Sequence, residues 1–104
     1  FEAGQLEAAI DQFRQVLQTT SSSHARFNLA LCYLTAGDVE LAASTYAKAV
    51  EMHGALEGER VGAVNDLRNL VLRGTQAKAA AEVIQKYWGS STSSAGSKKI
   101  LQND

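Results

Sequence analysis

His24 and Cys32 are the pair of side chains in this sequence with the types needed for nucleophilic chemistry. They lie eight residues apart, which on one helix corresponds to about 12 Å along the axis. The two side chains therefore share a helix face but cannot pair as general base and nucleophile. Cys32 is better explained as a small packed residue, because free cysteine is among the most buried residue types.

The other histidine, His53, falls at the end of a predicted helix, where the helix dipole favours positive charge. Two histidines and one cysteine without short ligand spacings do not form a zinc site. Catalysis also needs polar groups that converge in a pocket, and the sequence offers few of them. We therefore expect no catalytic residues, no metal and no cofactor.

The composition favours an all-α protein. The 104 residues contain no proline, which helices exclude because it lacks the backbone N–H and clashes one turn back. Glycine- and serine-containing segments separate stretches in which apolar residues recur every three or four positions. This periodicity predicts five helices, at 5–18, 24–36, 39–53, 60–73 and 76–88.

The boundaries between these helices carry their own signals. The serines before residue 24 can cap the second helix. Gly37 is predicted to end that helix in the left-handed conformation, and Asp38 to cap the next one. Gly74 and Thr75 repeat the same pattern. Residues 54–59 are predicted to form a loose, charged connection.

Charge and hydropathy limit the partners. A net charge of −1 argues against nucleic acid, whose binding needs excess lysine and arginine. Residues 1–52 contain six acidic and three basic residues, and residues 53–104 contain five and seven, a difference too small to name a partner. No apolar run approaches the roughly 18 residues of a membrane span. The single cysteine fits a reducing compartment, so we expect a cytoplasmic protein.

An internal repeat of about one helix pair runs through the chain. The pair Ala3-Gly4 recurs 33 residues later as Ala36-Gly37, and Gly74 follows after a further 37 residues. After each glycine an alanine precedes a large apolar residue by four positions, as closely crossing helices require. These pairs are Ala9 and Phe13, Ala42 and Tyr46, and Ala79 and Val83.

These spacings resemble the tetratricopeptide repeat, a 34-residue helix pair with the pattern W-x2-L-G-x2-Y, then A-x3-F, then P. The sequence departs from it at three positions: Arg26 stands in the tryptophan column, Ala30 in the glycine column and Gly54 in the proline column. The matching residues of the central unit are Leu29, Tyr33, Gly37, Ala42, Tyr46 and Ala49.

The resemblance implies a right-handed superhelical stack of antiparallel helix pairs over residues 1–88. Residues 1–21 would be the second helix of a truncated first repeat, 22–54 a complete repeat and 55–88 a degenerate one. Residues 89–104 have the composition of a flexible Gly/Ser-rich tail. Phe1 is not a methionine, which favours a piece of a longer protein.

In such a stack the first helix of each pair lines a concave groove that binds peptides. Of the lysine, asparagine and arginine that grip a C-terminal carboxylate in some family members, only Asn28 is matched, because Val61 and Asn65 occupy the columns of the cations. The groove would therefore be mainly apolar, although Arg68 could hold an acidic side chain. The implied groove residues are His24, Phe27, Asn28, Leu31, Leu34, Val61, Val64, Asn65, Arg68 and Val71.

Two functions remain open. The groove can receive a peptide or helix of a partner protein, which would make the chain an interaction scaffold. Alternatively, the apolar stripe is where an upstream helix, a second copy or the tail at Ile100-Leu101 packs. The second function is structural self-association, in which copies stack through the N-terminal repeat edge. The last helix has a polar outer face, and Trp88 is expected to pack back onto the preceding helix pair.

Overall fold

The structure is a computed structural model that describes residues 3–89, and over this range it contains only helices and their connections. The predicted all-α class is confirmed. Residues 90–104, which include most of the predicted tail, lie outside the described range. The elements are α1 Ala3–Thr19, α2 Ser23–Thr35, α3 Val39–His53, α4 Ala55–Arg60, α5 Ala63–Arg73, α6 Ala77–Ile84 and a π-helical turn Gln85–Gly89.

The α2–α3 hairpin ends and restarts at the residues that the sequence indicates. The Ser22 hydroxyl accepts a hydrogen bond from the Ala25 amide at 3.1 Å, which caps α2. Gly37 has a φ of +91°, and Asp38 caps α3 by accepting from the Leu41 amide at 3.2 Å. Both caps and the glycine stop are confirmed. They set α2 and α3 antiparallel and in contact along their length.

The connection between α3 and α5 differs from the prediction. Residues 54–59 are not loose, because Ala55–Arg60 form the short helix α4. The predicted helix 60–73 is instead interrupted at Gly62, whose φ of +90° is left-handed and cannot continue a helix. This extra element raises the number of α-helices in residues 3–89 from the expected five to six.

The start of α6 also differs from the prediction. Gly74 closes α5 with a φ of +74°, as expected. Thr75, however, does not cap the next helix. Gln76 stands at the cap position with a φ of +50°, and no side chain there accepts a bond from the first turn.

The core lies where α2, α3, α5 and α6 meet. The side chains of the core residues are almost completely removed from water. Many of these residues are the apolar positions predicted for α3 and α5. Trp88 closes this core, since its indole N–H donates to the Ala55 carbonyl at 2.8 Å and its ring lies 6.4 Å from that of Phe27. The expectation that Trp88 packs back onto the preceding helices is confirmed. The core residues are Phe27, Ala30, Leu34, Ala42, Tyr46, Ala49, Ala63, Val64, Leu67, Leu70, Ala80 and Trp88.

Tyr46 carries a buried hydroxyl without a hydrogen-bond partner. The side chain is 0% exposed, and burial is the main reason that its pKa lies above the ordinary value. An unpaired buried hydroxyl costs about 1–3 kcal/mol of desolvation. Tyr46→Phe is therefore expected to leave the fold intact and to raise the free energy of unfolding by about 1 kcal/mol.

Urea denaturation followed by circular dichroism measures this change. Tyr33→Phe is the matched control, because Tyr33 is only partly buried and its hydroxyl oxygen is not an unpartnered buried atom. A loss of stability of about 1 kcal/mol or more in Tyr46→Phe would contradict the prediction, since it would mean that the hydroxyl makes a favourable bond.

Candidate functional site

A groove runs between α2 and α5, the two helices whose residues the repeat pattern places on the concave side. The helices are in contact, and a cavity of about 190 Å³ opens between them. This volume is below the roughly 300–1,000 Å³ of small-molecule sites, so it suits a side chain of a bound peptide better than a cofactor. The cavity is lined by Leu31, Thr35, Asp66, Asn69, Leu70 and Arg73.

The ten sequence-predicted groove residues fall into three groups by exposure. His24, Asn65, Arg68 and Val71 are exposed. The partly buried group is Asn28, Leu31 and Val61, and the buried group is Phe27, Leu34 and Val64. The structure therefore leaves seven of the ten positions with some accessible surface.

Phe27, Leu34 and Val64 are not groove surface, which corrects the expectation that they anchor a ligand. Their side chains are 2%, 1% and 6% exposed. Phe27 packs against Trp88, and all three belong to the hydrophobic core. In this chain Phe27 is covered by Trp88 of the π turn and lies close to Gly58 of α4.

Arg68 and Val71 do not join Leu31 in the groove. They lie instead along a second cavity, of about 350 Å³, between α5 and α6. Leu72, which is 83% exposed, lies beside them. Arg68 is therefore placed on the C-terminal edge of the helix stack rather than opposite α2.

Asn28 already uses one of its amide atoms within its own helix. Its side-chain nitrogen donates to the His24 carbonyl at 2.9 Å. The amide oxygen still offers acceptor capacity to a ligand. This hydrogen bond holds the amide in one orientation, and Asn28 is not among the residues that line the cavity between α2 and α5.

Asp66 places a carboxylate inside the groove. Burial raises its pKa above the ordinary value, and the charge of His24 partly opposes this effect. Arg73 lies on the same cavity, two turns further along α5. The groove thus carries both signs of charge around the apolar side chains of Leu31 and Leu70.

The sequence prediction missed Thr35, Asp66, Asn69 and Arg73 as lining residues, and it placed Leu70 only among the apolar positions of its helix. A signal for three of them was present, because positions 66, 69 and 73 are spaced by three and four residues and share one helix face. Thr35 gave no such signal. Its hydroxyl donates to the Leu31 carbonyl at 2.8 Å, one turn earlier.

Hydrogen bonds of the Glu57 carboxylate connect α4 to Ser23 at the start of α2, next to His24. Glu57 accepts two hydrogen bonds from the Arg60 guanidinium, at 2.7 and 2.6 Å, and a third from the Ser23 hydroxyl. The Arg60 bonds and then the Ser23 bond lower the pKa of Glu57 to about 2. The ionised form of Glu57 is therefore favoured in the folded chain.

Glu57→Gln is expected to flatten the acid dependence of stability. A carboxyl whose pKa is lowered on folding stabilises the fold above its unfolded pKa, near 4.5, and this contribution disappears as the pH falls towards 2. The free energy of unfolding should thus decline less between pH 4.5 and 2 in the variant than in the parent. Glu59→Gln, at an exposed neighbouring carboxylate, is the control. Equal pH slopes for parent and Glu57→Gln would contradict the assignment.

The described residues bring no group of metal ligands together, and their cysteine is buried. Cys32 is 1% exposed, and burial raises the pKa of its thiol, so the interpretation of Cys32 as a packed residue is confirmed. Within residues 3–89 no three histidine, cysteine or acidic side chains come together as metal ligands. Over the same residues, each helix is too short or too polar to cross a membrane.

Comparison with known proteins bears on the repeat pattern directly. A family model described as tetratricopeptide repeat matches residues 1–56, which are just over half of the 104-residue chain. Searches of curated proteins and of solved structures gave no match. The matched region includes α1, α2 and α3, the helices in which the repeat spacings and the caps agree with the structure. The chain belongs to the tetratricopeptide repeat family.

Proposed function

We propose that the chain is a protein-interaction scaffold that binds a peptide or a helix of a partner protein in the groove between α2 and α5. Proteins of this family generally mediate protein–protein interaction. The observation that carries the proposal is the cavity of about 190 Å³ between the two helices, whose lining combines apolar and polar side chains. A ligand with one apolar side chain beside hydrogen-bonding groups fits this lining.

Each part of the groove has a role in the proposal. Leu31, which is partly buried, contacts the apolar side chain of the ligand, and Asn69 and Arg73 are exposed and free to bond to backbone carbonyls or to an acidic group. Asn28 offers its amide oxygen to a backbone N–H. This lining is more polar than the sequence alone suggests, because three of the expected apolar anchors are core residues.

Capture of partners by the 104-residue chain tests the groove. Leu31→Arg and Asn69→Arg are expected to abolish capture of the main partner, because each places a bulky charge at the cavity. Leu56→Arg is the matched control, since Leu56 is 80% exposed on α4 and lines none of the groove. The proposal fails if the two groove variants, shown by circular dichroism to be folded, capture the same proteins as the control.

Self-association through α1 is the second candidate, and the exposure of this helix favours it. α1 packs mainly against α2. Val16 is 37% exposed, and Ile10 and Phe13 are only partly buried. A second copy packed on this side would remove these apolar side chains from water, at about 25 cal/mol per Å² of apolar surface.

Sedimentation at increasing concentration separates the two candidates. Self-association predicts a concentration-dependent rise in mass that Val16→Glu lowers and Leu56→Glu leaves unchanged. A strict monomer at the highest concentration would exclude this candidate and leave the groove proposal intact.

A further inference from the structure

The first half of the chain gathers all of its basic residues at one place. Residues 1–52 contain three such residues, Arg14, Arg26 and Lys48, from three different helices. All three line a single pocket of about 480 Å³ between α1, α2 and α3. The remaining lining is Leu17, Gln18, Leu29, Tyr33, Leu41, Ser44 and Thr45.

Negative charge is missing from this pocket, which we call the basic pocket. The described acidic residues of the same half are Glu7, Asp11, Asp38, Glu40 and Glu51, and none of them lines it. Glu57–Arg60 is the ion pair found within residues 3–89, so the three cations of the basic pocket have no carboxylate partner there. The pocket also shares no residue with the ten predicted groove positions.

Arg26 is the pocket residue with a buried hydrogen-bond donor that lacks a partner. Its Nε atom is buried and has no hydrogen-bond partner. A guanidinium stays charged at all physiological pH values, and a buried donor without a partner is costly. A carboxylate that accepts from the outer guanidinium nitrogens would pair the charge of Arg26, which no carboxylate within residues 3–89 does.

We propose that the basic pocket binds an acidic peptide segment of another protein. The three cations would pair with carboxylates, and Leu17 and Leu41, whose side chains are accessible, would contact apolar side chains placed between those carboxylates. This mixture of charge and apolar lining favours an amphipathic acidic peptide over a simple anion. The basic pocket would be a second contact surface, separate from the groove between α2 and α5.

Fluorescence anisotropy with a defined probe tests the proposal on the whole 104-residue chain. The probe is a rhodamine-labelled peptide, Glu-Glu-Leu-Glu-Glu-Leu-Glu-Glu, compared with the same peptide carrying glutamine in place of glutamate. We expect the acidic peptide to bind at least tenfold more tightly than the glutamine peptide, and its affinity to fall with rising salt.

Matched variants locate the binding. Arg14→Gln combined with Lys48→Gln removes two exposed charges and is expected to weaken binding at least tenfold, and Arg26→Gln at least as much. The control, Lys78→Gln with Lys86→Gln, removes two exposed charges that line neither the groove nor the basic pocket, and it should change affinity less than twofold. Leu31→Arg in the groove should also leave this binding unchanged.

Three results would overturn the proposal. One is equal affinity for the acidic and glutamine peptides. Another is equal weakening by the control pair and by the Arg14 and Lys48 pair, which would indicate attraction to overall charge. The third is full competition by millimolar inorganic phosphate, which would make the pocket a simple anion site. Because Arg14 and Lys48 are exposed, their variant keeps the test valid even if Arg26→Gln does not fold.

Discussion

Replacing Trp88 with alanine is expected to lower the free energy of unfolding by about 3–5 kcal/mol, the usual cost of removing a buried large aromatic side chain. The indole is 3% exposed, packs against Phe27 and donates to the Ala55 carbonyl. Its loss leaves a cavity beneath α4. Because a domain of this size is stable by only about 5–15 kcal/mol, much of the total would be lost.

Urea denaturation followed by circular dichroism at 222 nm measures the effect without relying on tryptophan emission. Trp88→Phe is the control, because phenylalanine keeps most of the ring contact and removes the indole N–H. It should cost less than half as much as the alanine variant. A loss below about 1 kcal/mol for Trp88→Ala would show that the residue is not part of the core.

Gly58→Ala is expected to destabilise the chain by about 1–2 kcal/mol, although alanine is the better helix former. A Cβ atom at position 58 would lie 2.6 Å from Cζ2 of Trp88 and 3.0 Å from Cζ of Phe27. Overpacking of this kind costs about 1–3 kcal/mol, which exceeds the roughly 0.5–1 kcal/mol that alanine gains over glycine in a helix. The steric overlap therefore outweighs the gain in helix propensity, and Gly58→Ala lowers the free energy of unfolding.

Gly4→Ala supplies the matched control, because Gly4 is also helical but has nothing within 4 Å of the added atom. It should be neutral or slightly stabilising. In addition, the cost of Gly58→Ala should shrink when it is combined with Trp88→Ala, since the nearest contact is then absent. Strict additivity of the two changes would contradict the packing explanation.

The sequence was sufficient where a local rule and the repeat pattern agreed. Gly37 and Asp38 fall at a predicted helix boundary, and the structure places a left-handed glycine and a cap there. At Gly62 the same rule was available, but the apolar spacing of residues 60–73 outweighed it in the prediction of one continuous helix. Gly58 is different. Its burial depends on Trp88, which is 30 residues away and beyond the reach of any local pattern.

The candidate site was predicted less completely than the fold. Repeat columns identify which face of a helix looks towards the groove, and of the ten predicted residues Leu31 lines the cavity there with some accessible surface. The columns do not show what a degenerate unit packs over them, so Phe27 and Val64 were misplaced. The basic pocket could not be predicted from the sequence either, because its three cations lie on three different helices and are far apart in sequence.

The contact between Phe27 and Trp88 also has a consequence for biosynthesis. Trp88 follows Phe27 by 61 residues, so the ribosome must add that length before the ring that covers Phe27 exists. At about 5–20 residues per second this takes roughly 3–12 s. During that interval Phe27 of the nascent α2–α3 hairpin lacks the ring that covers it in the complete fold, and apolar surface exposed in this way promotes aggregation.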